Sequence, residues 1–363
     1  MLGDRRLRMA GPDIPYTAVR VGGMSTTLPP RTSLARLPTP LERADRLTAS
    51  WGGPTIWIKR DDLTGFGLSG NKVRKLEFHF AAASAAGADT VITCGAIQSN
   101  HSRATALAAA RLGFRSILLL RRSSDGDPPS PVGNYLLDYL AGAQIRIITA
   151  EQYDDRDALM ETEAAGQLED GHRCWVIPEG ASDSLGMWGF VVAMRELADQ
   201  LARVDGKPPV IWHAASSGGT TAGIGWAIDR LGLDVPVVAC SIGDPVDEME
   251  AKVQTIWESA AAAMNTLPPR VEIEYVGRHI GGGYGVVTDD ELRIQREATS
   301  LTGLILDPTY TGKALVGLYR DISDGRYGGD DNIVFWHTGG GFAAFAHDFS
   351  QTAAAADPVA GSG

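Results

Sequence analysis

Pro209-Val210-Ile211-Trp212-His213-Ala214-Ala215-Ser216-Ser217-Gly218-Gly219-Thr220-Thr221-Ala222-Gly223 begins as an apolar strand, passes through small and hydroxyl residues, and runs on into a helical stretch. Its strand half shows little polar alternation, as expected of a strand covered on both faces. The same grammar repeats along the chain. Candidate strands are Thr55–Lys59, Thr90–Cys94, Ser116–Leu120, Gln144–Thr149, Cys174–Ile177, Val210–His213, Val235–Ser241, Val271–Tyr275 and Asn332–His337. Ala-rich stretches with helical spacing lie between them, among them Val73–Ala86, Ser102–Leu112 and Met187–Leu201. Strand–helix–strand repetition predicts an α/β fold with open parallel sheets and right-handed crossovers. In such sheets ligands bind at the carboxyl ends of the strands, so function is sought at the strand exits.

Composition narrows the function classes. The chain has 363 residues, long enough for two domains, with an ordinary globular balance of 44% apolar and 21% charged residues. The net charge of −11 disfavours nucleic acid and anionic membranes, which need a basic face. No apolar run approaches the roughly 20 residues of a membrane span. Cys94, Cys174 and Cys240 are far apart and form no CxxC pair, so buried thiols in a reducing cytosol are expected and no metal site is. The segment Met1–Arg20 lacks the apolar core of a secretory signal, and the Ala-rich tail from Gln351 is expected to be disordered. The protein is therefore expected to be cytoplasmic.

Five strand exits carry chemically capable residues. In Leu68-Ser69-Gly70-Asn71-Lys72-Val73-Arg74-Lys75-Leu76-Glu77, Lys72 falls in a first helical turn, where the helix dipole disfavours a cation. It is either a solvated surface lysine or an amine of depressed pKa suited to a Schiff base. In Cys94-Gly95-Ala96-Ile97-Gln98-Ser99-Asn100-His101, amides, a hydroxyl and free backbone N–H groups suit a carboxylate; alternatively Ser99 or Asn100 only caps the helix. Ser216 to Thr221 make a phosphate cradle without the lysine of a P-loop, or else a plain glycine turn. Leu306-Asp307-Pro308-Thr309-Tyr310-Thr311-Gly312-Lys313 and Gly283-Tyr284-Gly285 each set a tyrosine on a turn, as an acid/base group or as a packed aromatic. His337-Thr338-Gly339-Gly340-Gly341 offers a hydroxyl and a glycine run that lets a flat ligand approach the backbone, or serves as a turn. One lysine amine, one phosphate cradle, one carboxylate-type loop and hydroxyls at the last strand together point to pyridoxal phosphate.

These motifs resemble the D-cysteine desulfhydrase / 1-aminocyclopropane-1-carboxylate deaminase family of fold-type II pyridoxal phosphate enzymes. The matching residues are Leu37-Pro38-Thr39-Pro40-Leu41-Glu42, Ile58-Lys59-Arg60-Asp61-Asp62, Gly70 to Glu77, Gln98 to His101, Asp307 to Lys313 and His337 to Gly340, within a resemblance running from about Leu37 to Phe345. It implies the two-domain, tryptophan synthase beta-like fold. It implies a large cofactor-binding domain of residues 37–72 and 198–350, a small domain of residues 73–197, an N-terminal extension over 1–36 and a tail over 351–363. It further implies that Lys72 carries the cofactor, that Ser217, Gly218, Gly219, Thr220 and Thr221 hold its phosphate, and that Asn100 bonds its ring oxygen. Ser99 and Gln98 would face the substrate, Tyr284 and Tyr310 would flank it, and Thr338 and Thr311 would lie near the ring nitrogen. Ser69 stands where a second glycine is usual, and Val287, Thr288, Gly341 and Phe342 depart from the usual residues, the last changes bordering the expected substrate pocket.

The resemblance favours the desulfhydrase branch. The deaminase pattern has glutamate after the tyrosine and leucine after the last-strand histidine, where Thr311 and Thr338 stand here. A carboxylate near the ring nitrogen would favour the protonated, strongly electron-withdrawing pyridinium, and a neutral hydroxyl does not hold that proton. A weaker sink suffices for β-elimination. The expected reaction is D-cysteine to pyruvate, hydrogen sulfide and ammonia. Alternatives are L-cysteate sulfo-lyase, for which Arg278 and His279 are candidate sulfonate ligands, cyclopropane deamination, and a non-catalytic ligand-binding homologue. A nicotinamide oxidoreductase lacks its early GxGxxG. The expected partners are a small amino acid and, as the family implies, a second copy of the chain.

Overall fold

The computed structural model describes residues 17–21, 24–122, 130–283 and 285–347. Its strands, in chain order, are β1 (Thr17–Val21), β2 (Met24–Leu28), β3 (Leu41–Arg43), β4 (Thr55–Arg60), β5 (Thr90–Ala96), β6 (Arg115–Arg121), β7 (Gln144–Ile148), β8 (Cys174–Val176), β9 (Val210–Ala215), β10 (Val237–Ser241), β11 (Glu274–Val276) and β12 (Asn332–His337). All nine expected strands form, with ends moved by a few residues. The short β3 and the β1–β2 ribbon are additional; neither carries the long Val/Ile run that marks a doubly covered strand.

Six strands make one sheet in the order β11-β10-β9-β12-β4-β3, parallel except for β3 on the edge. Four make a second, wholly parallel sheet in the order β7-β6-β5-β8. Their central strands are buried along almost their whole length, which explains the absence of alternation: β12 is buried at every position and β5 at all but its last. Helices cover the faces. The Trp188–Leu201 and Gly219–Leu231 helices bury Trp188, Phe190 and Trp226 against Trp336 of β12, with the Phe190 and Trp336 rings 5.2 Å apart. Each such aromatic contributes roughly 150–250 Å² of buried surface, so this cluster is a main source of stability.

The Lys72–Ala85 helix joins the sheets. Phe78 packs in the core of the six-stranded sheet, while Val73, Leu76 and Phe80 pack with Val91 of β5 and Ala104 and Ala108 beside the four-stranded sheet. The expected division after residue 197 assigns the Trp188–Leu201 helix to the small domain. Its buried face, however, lies in the core that contains Ile211 of β9 and Val334 of β12. Large apolar side chains follow the sheet that buries them, whatever their position in the chain. The tail over 351–363 lies outside the described residues.

A buried ionic network underlies the start of the Lys72–Ala85 helix. The Arg74 guanidinium donates to both oxygens of Asp61 at 2.8 and 2.7 Å and to both oxygens of Glu196 at 3.1 Å. Lys59 donates to the Glu196 carboxylate and, at 2.7 Å, to the Thr39 carbonyl. The charged residues of the Lys59–Asp61 and Arg74 motifs are thus joined to one another, pinning β4 to two helices.

Candidate active site

Three adjacent parallel strands of the larger sheet, β9, β12 and β4, and β5 of the smaller one end on a common cleft. The strand order reverses around β9 and β12, the place where a parallel sheet opens a crevice. The cleft is lined by Lys72, Ser99, Asn100, Ser217, Gly218, Thr220, Thr221, Tyr310 and Thr338. These expected site residues, which lie up to some 270 positions apart in the chain, meet there.

Lys72 is the first residue of its helix, with Asn71 as N-cap. Gly70 precedes it at φ 109°, and a Cβ there would sit 2.8 Å from the Thr338 carbonyl oxygen, so only glycine lets the lysine loop lie against the β12 exit. The Asn71 N–H donates to that same carbonyl at 3.0 Å. Burial depresses the Lys72 amine to about 8, partly offset by the Glu179 carboxylate on the cleft wall. Lys72 thus lines the cleft with a depressed amine and is not a freely solvated surface lysine.

Opposite stands the cradle. Gly218, at φ 85°, turns the chain into the Gly219–Leu231 helix, leaving the first backbone N–H groups of that helix facing the cleft. The Thr221 hydroxyl is buried and has no hydrogen-bond partner among the described residues. Ser217 is held at 2.7 Å by Ser182. A residue the sequence reading missed stands behind the cradle: Lys75, one turn after Lys72 and fully buried, donates to Ser182 Oγ at 3.0 Å, and its Nζ is 2.9 Å from where a Cβ on Gly219 would stand. Burial and the neighbouring Lys72 lower its amine well below the usual lysine range. The i, i+3 spacing of the two lysines was a signal available in the sequence.

Two expected positions turn elsewhere. Thr311 is fully buried, its hydroxyl donating to Asp307 Oδ1 at 2.9 Å and accepting from the Asp307 N–H at 2.9 Å, so it closes the turn that starts the Thr311–Ser323 helix and does not line the cleft. Gln98 accepts from the Asn134 N–H at 2.9 Å and donates to the Val132 carbonyl at 3.0 Å, clasping a neighbouring segment in place of a substrate. Ser99 does both things proposed for it: it caps the Asn100–Leu112 helix by accepting from the Ser102 N–H at 3.1 Å, and it lines the cleft. Tyr284 lies outside the described residues. Arg278 and His279 both bond the buried Asp321 carboxylate, the imidazole at 2.8 Å, and neither lines the cleft. Among the described residues no His, Cys, Asp and Glu cluster suits a metal.

A flat phosphorylated ligand with an electrophilic carbon fits this arrangement. The unpartnered Thr221 hydroxyl and free helix N–H groups supply phosphate donors, and the Lys72 amine supplies the nucleophile. The family model for pyridoxal-phosphate dependent enzymes matches residues 32–339. The chain is 42% identical over 335 residues to the bifunctional D-cysteine desulfhydrase/1-aminocyclopropane-1-carboxylate deaminase, mitochondrial, of Arabidopsis thaliana, covering 90% of this chain and 82% of that protein. It is 40% identical over 320 residues to the D-cysteine desulfhydrase of Salmonella choleraesuis, covering 88% and 96%. A solved structure of an ACC deaminase homologue superposes with a TM-score of 0.80 at 35% identity, covering 90% of this chain and 96% of that one. The family match runs over most of the chain, including the segments that carry Lys72 and the Ser217–Thr221 turn: the protein belongs to the pyridoxal-phosphate dependent enzyme family and is a fold-type II enzyme with pyridoxal phosphate as its cofactor.

Proposed function

We propose that the enzyme removes the β-substituent of a cysteine-like amino acid, converting D-cysteine to pyruvate, hydrogen sulfide and ammonia. The observation that carries this reading is the charge of the cleft. Among the described residues its lining has Lys72 as the one Lys or Arg side chain, with Glu179, His101 and hydroxyls around it. Burial and the nearby lysines keep His101 neutral by lowering it well below the usual histidine range. A substrate with a single carboxylate and an uncharged thiol is therefore favoured over one carrying a second anionic group. The cationic residues suited to a sulfonate, Arg278 and His279, are occupied by Asp321, which argues against cysteate. Both curated relatives bear the name D-cysteine desulfhydrase, and the plant one also carries the deaminase name, which keeps cyclopropane opening as a second reading.

Pyridoxal phosphate, when bound, supplies an electron sink for the carbon that bears the substrate amine. In this reading the chain's residues do the rest. Lys72 would anchor the cofactor, and its Nζ, an amine that burial favours in its neutral form, would take the proton from the substrate α-carbon. Ser99 and the N-terminus of the Asn100–Leu112 helix receive the substrate carboxylate, and Tyr310 walls the opposite side. Asn100, on the cleft lining, would donate to the cofactor's ring oxygen. Thr338, a hydroxyl on the cleft, would face the ring nitrogen without supplying a carboxylate to hold a proton there, and the weaker sink this gives would suffice for elimination. The Ser217–Thr221 cradle, with Lys75 behind it, holds the phosphate.

The same reading places the cleft between two domains, a small one built on β5 to β8 and a large one on the remaining parallel strands together with the Trp188–Leu201 helix. It takes the protein to be cytoplasmic, in keeping with three free cysteines. It also takes the protein to be a homodimer. Phe66 and Phe345 are 87% and 74% exposed, the Phe342 ring meets Phe66 edge to face at 5.6 Å, and such an apolar patch suits a second copy.

The deciding experiment is keto-acid and sulfide release from D-cysteine, L-cysteine, cysteate, β-chloroalanine and the cyclopropane amino acid. D-cysteine is expected to lead with equal sulfide and pyruvate. Turnover of cysteate alone, or of the cyclopropane with no sulfide from either cysteine enantiomer, would overturn the proposal. The cradle gives a second expected result. A Cβ at position 219 would lie 2.7 Å from Ser182 Oγ and 2.9 Å from Ser182 Cα. Gly219→Ala is therefore expected to weaken cofactor binding by at least about tenfold, roughly 1.4 kcal/mol, measured by equilibrium dialysis.

A further inference from the structure

We propose that Asn134 is a positioning residue for the cofactor: it sets the side-chain amide of Asn100 so that the nitrogen, and not the oxygen, is turned toward Asp307 and the cleft. The inference rests on the reading that Asn100 donates to the cofactor's ring oxygen.

The argument is donor–acceptor logic along one chain of contacts. Asn134 lies at the start of the Gly133–Leu140 helix, outside every motif of the family resemblance, and is fully buried. Arg103, also fully buried, donates its Nε–H to the Asn134 amide at 3.0 Å. A guanidinium has no acceptor, so the Asn134 atom there is Oδ1. Asn134 Nδ2 then points the other way and donates to the Gln98 carbonyl at 2.8 Å and to Asn100 at 2.9 Å. The Asn100 atom that receives it is Oδ1. That leaves Asn100 Nδ2 on the far side, 3.5 Å from Asp307 Oδ2. The far end of the chain agrees with the near end. Asp307 Oδ1 already accepts from the Tyr310 and Thr311 N–H groups and the Thr311 hydroxyl, at 2.9, 2.6 and 2.9 Å, which leaves Oδ2 as the oxygen that faces Asn100 Nδ2.

An isolated asparagine amide is free to turn over, because its two ends are nearly the same shape. Here turning either amide would set oxygen against oxygen or donor against guanidinium. The same arginine donates to the Gly67 carbonyl and, at 2.7 Å, to the Ser69 carbonyl, just before Lys72. One cation thereby registers both the Asn100 amide and the lysine loop. Gln98, read from the sequence as a substrate ligand, belongs to this assembly through the Asn134 N–H.

The test compares Asn134→Asp with Asn100→Ala, each as holoenzyme, by the visible absorbance of the bound cofactor, its pH titration and its dissociation constant. Asn134→Asp keeps the size and the acceptor for Arg103 but replaces the donor facing Asn100, so the Asn100 amide turns its oxygen toward the ring oxygen. The expected result is a shifted absorbance band, a titration midpoint raised by about one pH unit and cofactor binding weakened about tenfold, matching the direction seen in Asn100→Ala. If Asn134→Asp does not yield folded protein, Asn134→Ser is read in the same way, since its short hydroxyl does not span to Asn100. A lowered melting temperature with band, titration and affinity unchanged, while Asn100→Ala alters all of them, overturns the positioning role of Asn134. An unaltered Asn100→Ala spectrum overturns the reading of Asn100 beneath it, and the inference with it.

Discussion

Lys72→Ala is expected to abolish keto-acid release, by at least about a thousandfold, and to remove the visible absorbance that the bound cofactor owes to its covalent link with this residue. Two functions end together in the proposed reading, the anchoring of the cofactor and the movement of the α-proton, and no other described lysine lines the cleft to replace them. Lys75, one turn away, is held by Ser182 at 3.0 Å and the Gly180 carbonyl at 3.3 Å, facing the cradle. The depressed amine gives the same residue a pH signature. In the cofactor-free protein, the neutral fraction of Lys72 rises through about pH 8, where an ordinary lysine needs a pH near 10.5. Its acylation by an amine-reactive reagent, followed by peptide mapping, is therefore expected to climb with pH and level off above that point. A variant lacking Lys72 that keeps its colour and turnover, or a Lys72 that titrates like a surface lysine, would contradict the site.

Arg74→Ala is expected to destabilise the protein by about 3–5 kcal/mol, read as a shift of the urea midpoint. The size follows from what is left behind. Asp61 is fully buried and receives two of its hydrogen bonds from this guanidinium, and Glu196 receives two more. Removing the arginine strands a buried carboxylate, which costs far more than the intact pair contributes. Burial opposes ionisation of Glu196, and Arg74 with Lys59 outweighs it, holding the carboxyl below its usual range. Arg74→Lys keeps the charge but not the planar fork, so an intermediate loss is expected. A change below about 1 kcal/mol for Arg74→Ala would show that the network is not a source of stability.

The motifs that read as chemistry divide on this point. Lys59, Asp61 and Arg74 belong to stretches shared with the family, yet their side chains face one another below the cleft and not the ligand. Nothing in the local sequence separates them from Lys72, two residues before Arg74, because both lie in the same helical turn and only the partner across each face differs.

What the sequence by itself determined is the part of the protein written in short-range terms. Apolar runs without polar alternation, Val210-Ile211-Trp212 in β9 and Ile333-Val334-Phe335-Trp336 in β12, specify strands buried on both faces, Gly218 specifies a turn into a helix with open N–H groups, and Lys72 in a first turn marks an amine out of place. These signals need only neighbours within one or two turns, so the α/β class, the glycine turn at Gly218 and the place of Lys72 at a helix start were legible. Only the tertiary structure decided where side chains point. Thr311 turns to Asp307, Gln98 to Asn134, and Arg278 and His279 to Asp321, while Lys75 swings to the cradle and the Trp188–Leu201 helix joins the larger sheet. Several of these partners lie tens of residues away, and a polar side chain takes the direction in which burial leaves it a partner. That choice is settled when the sheets close on each other, and it is not encoded in any one segment.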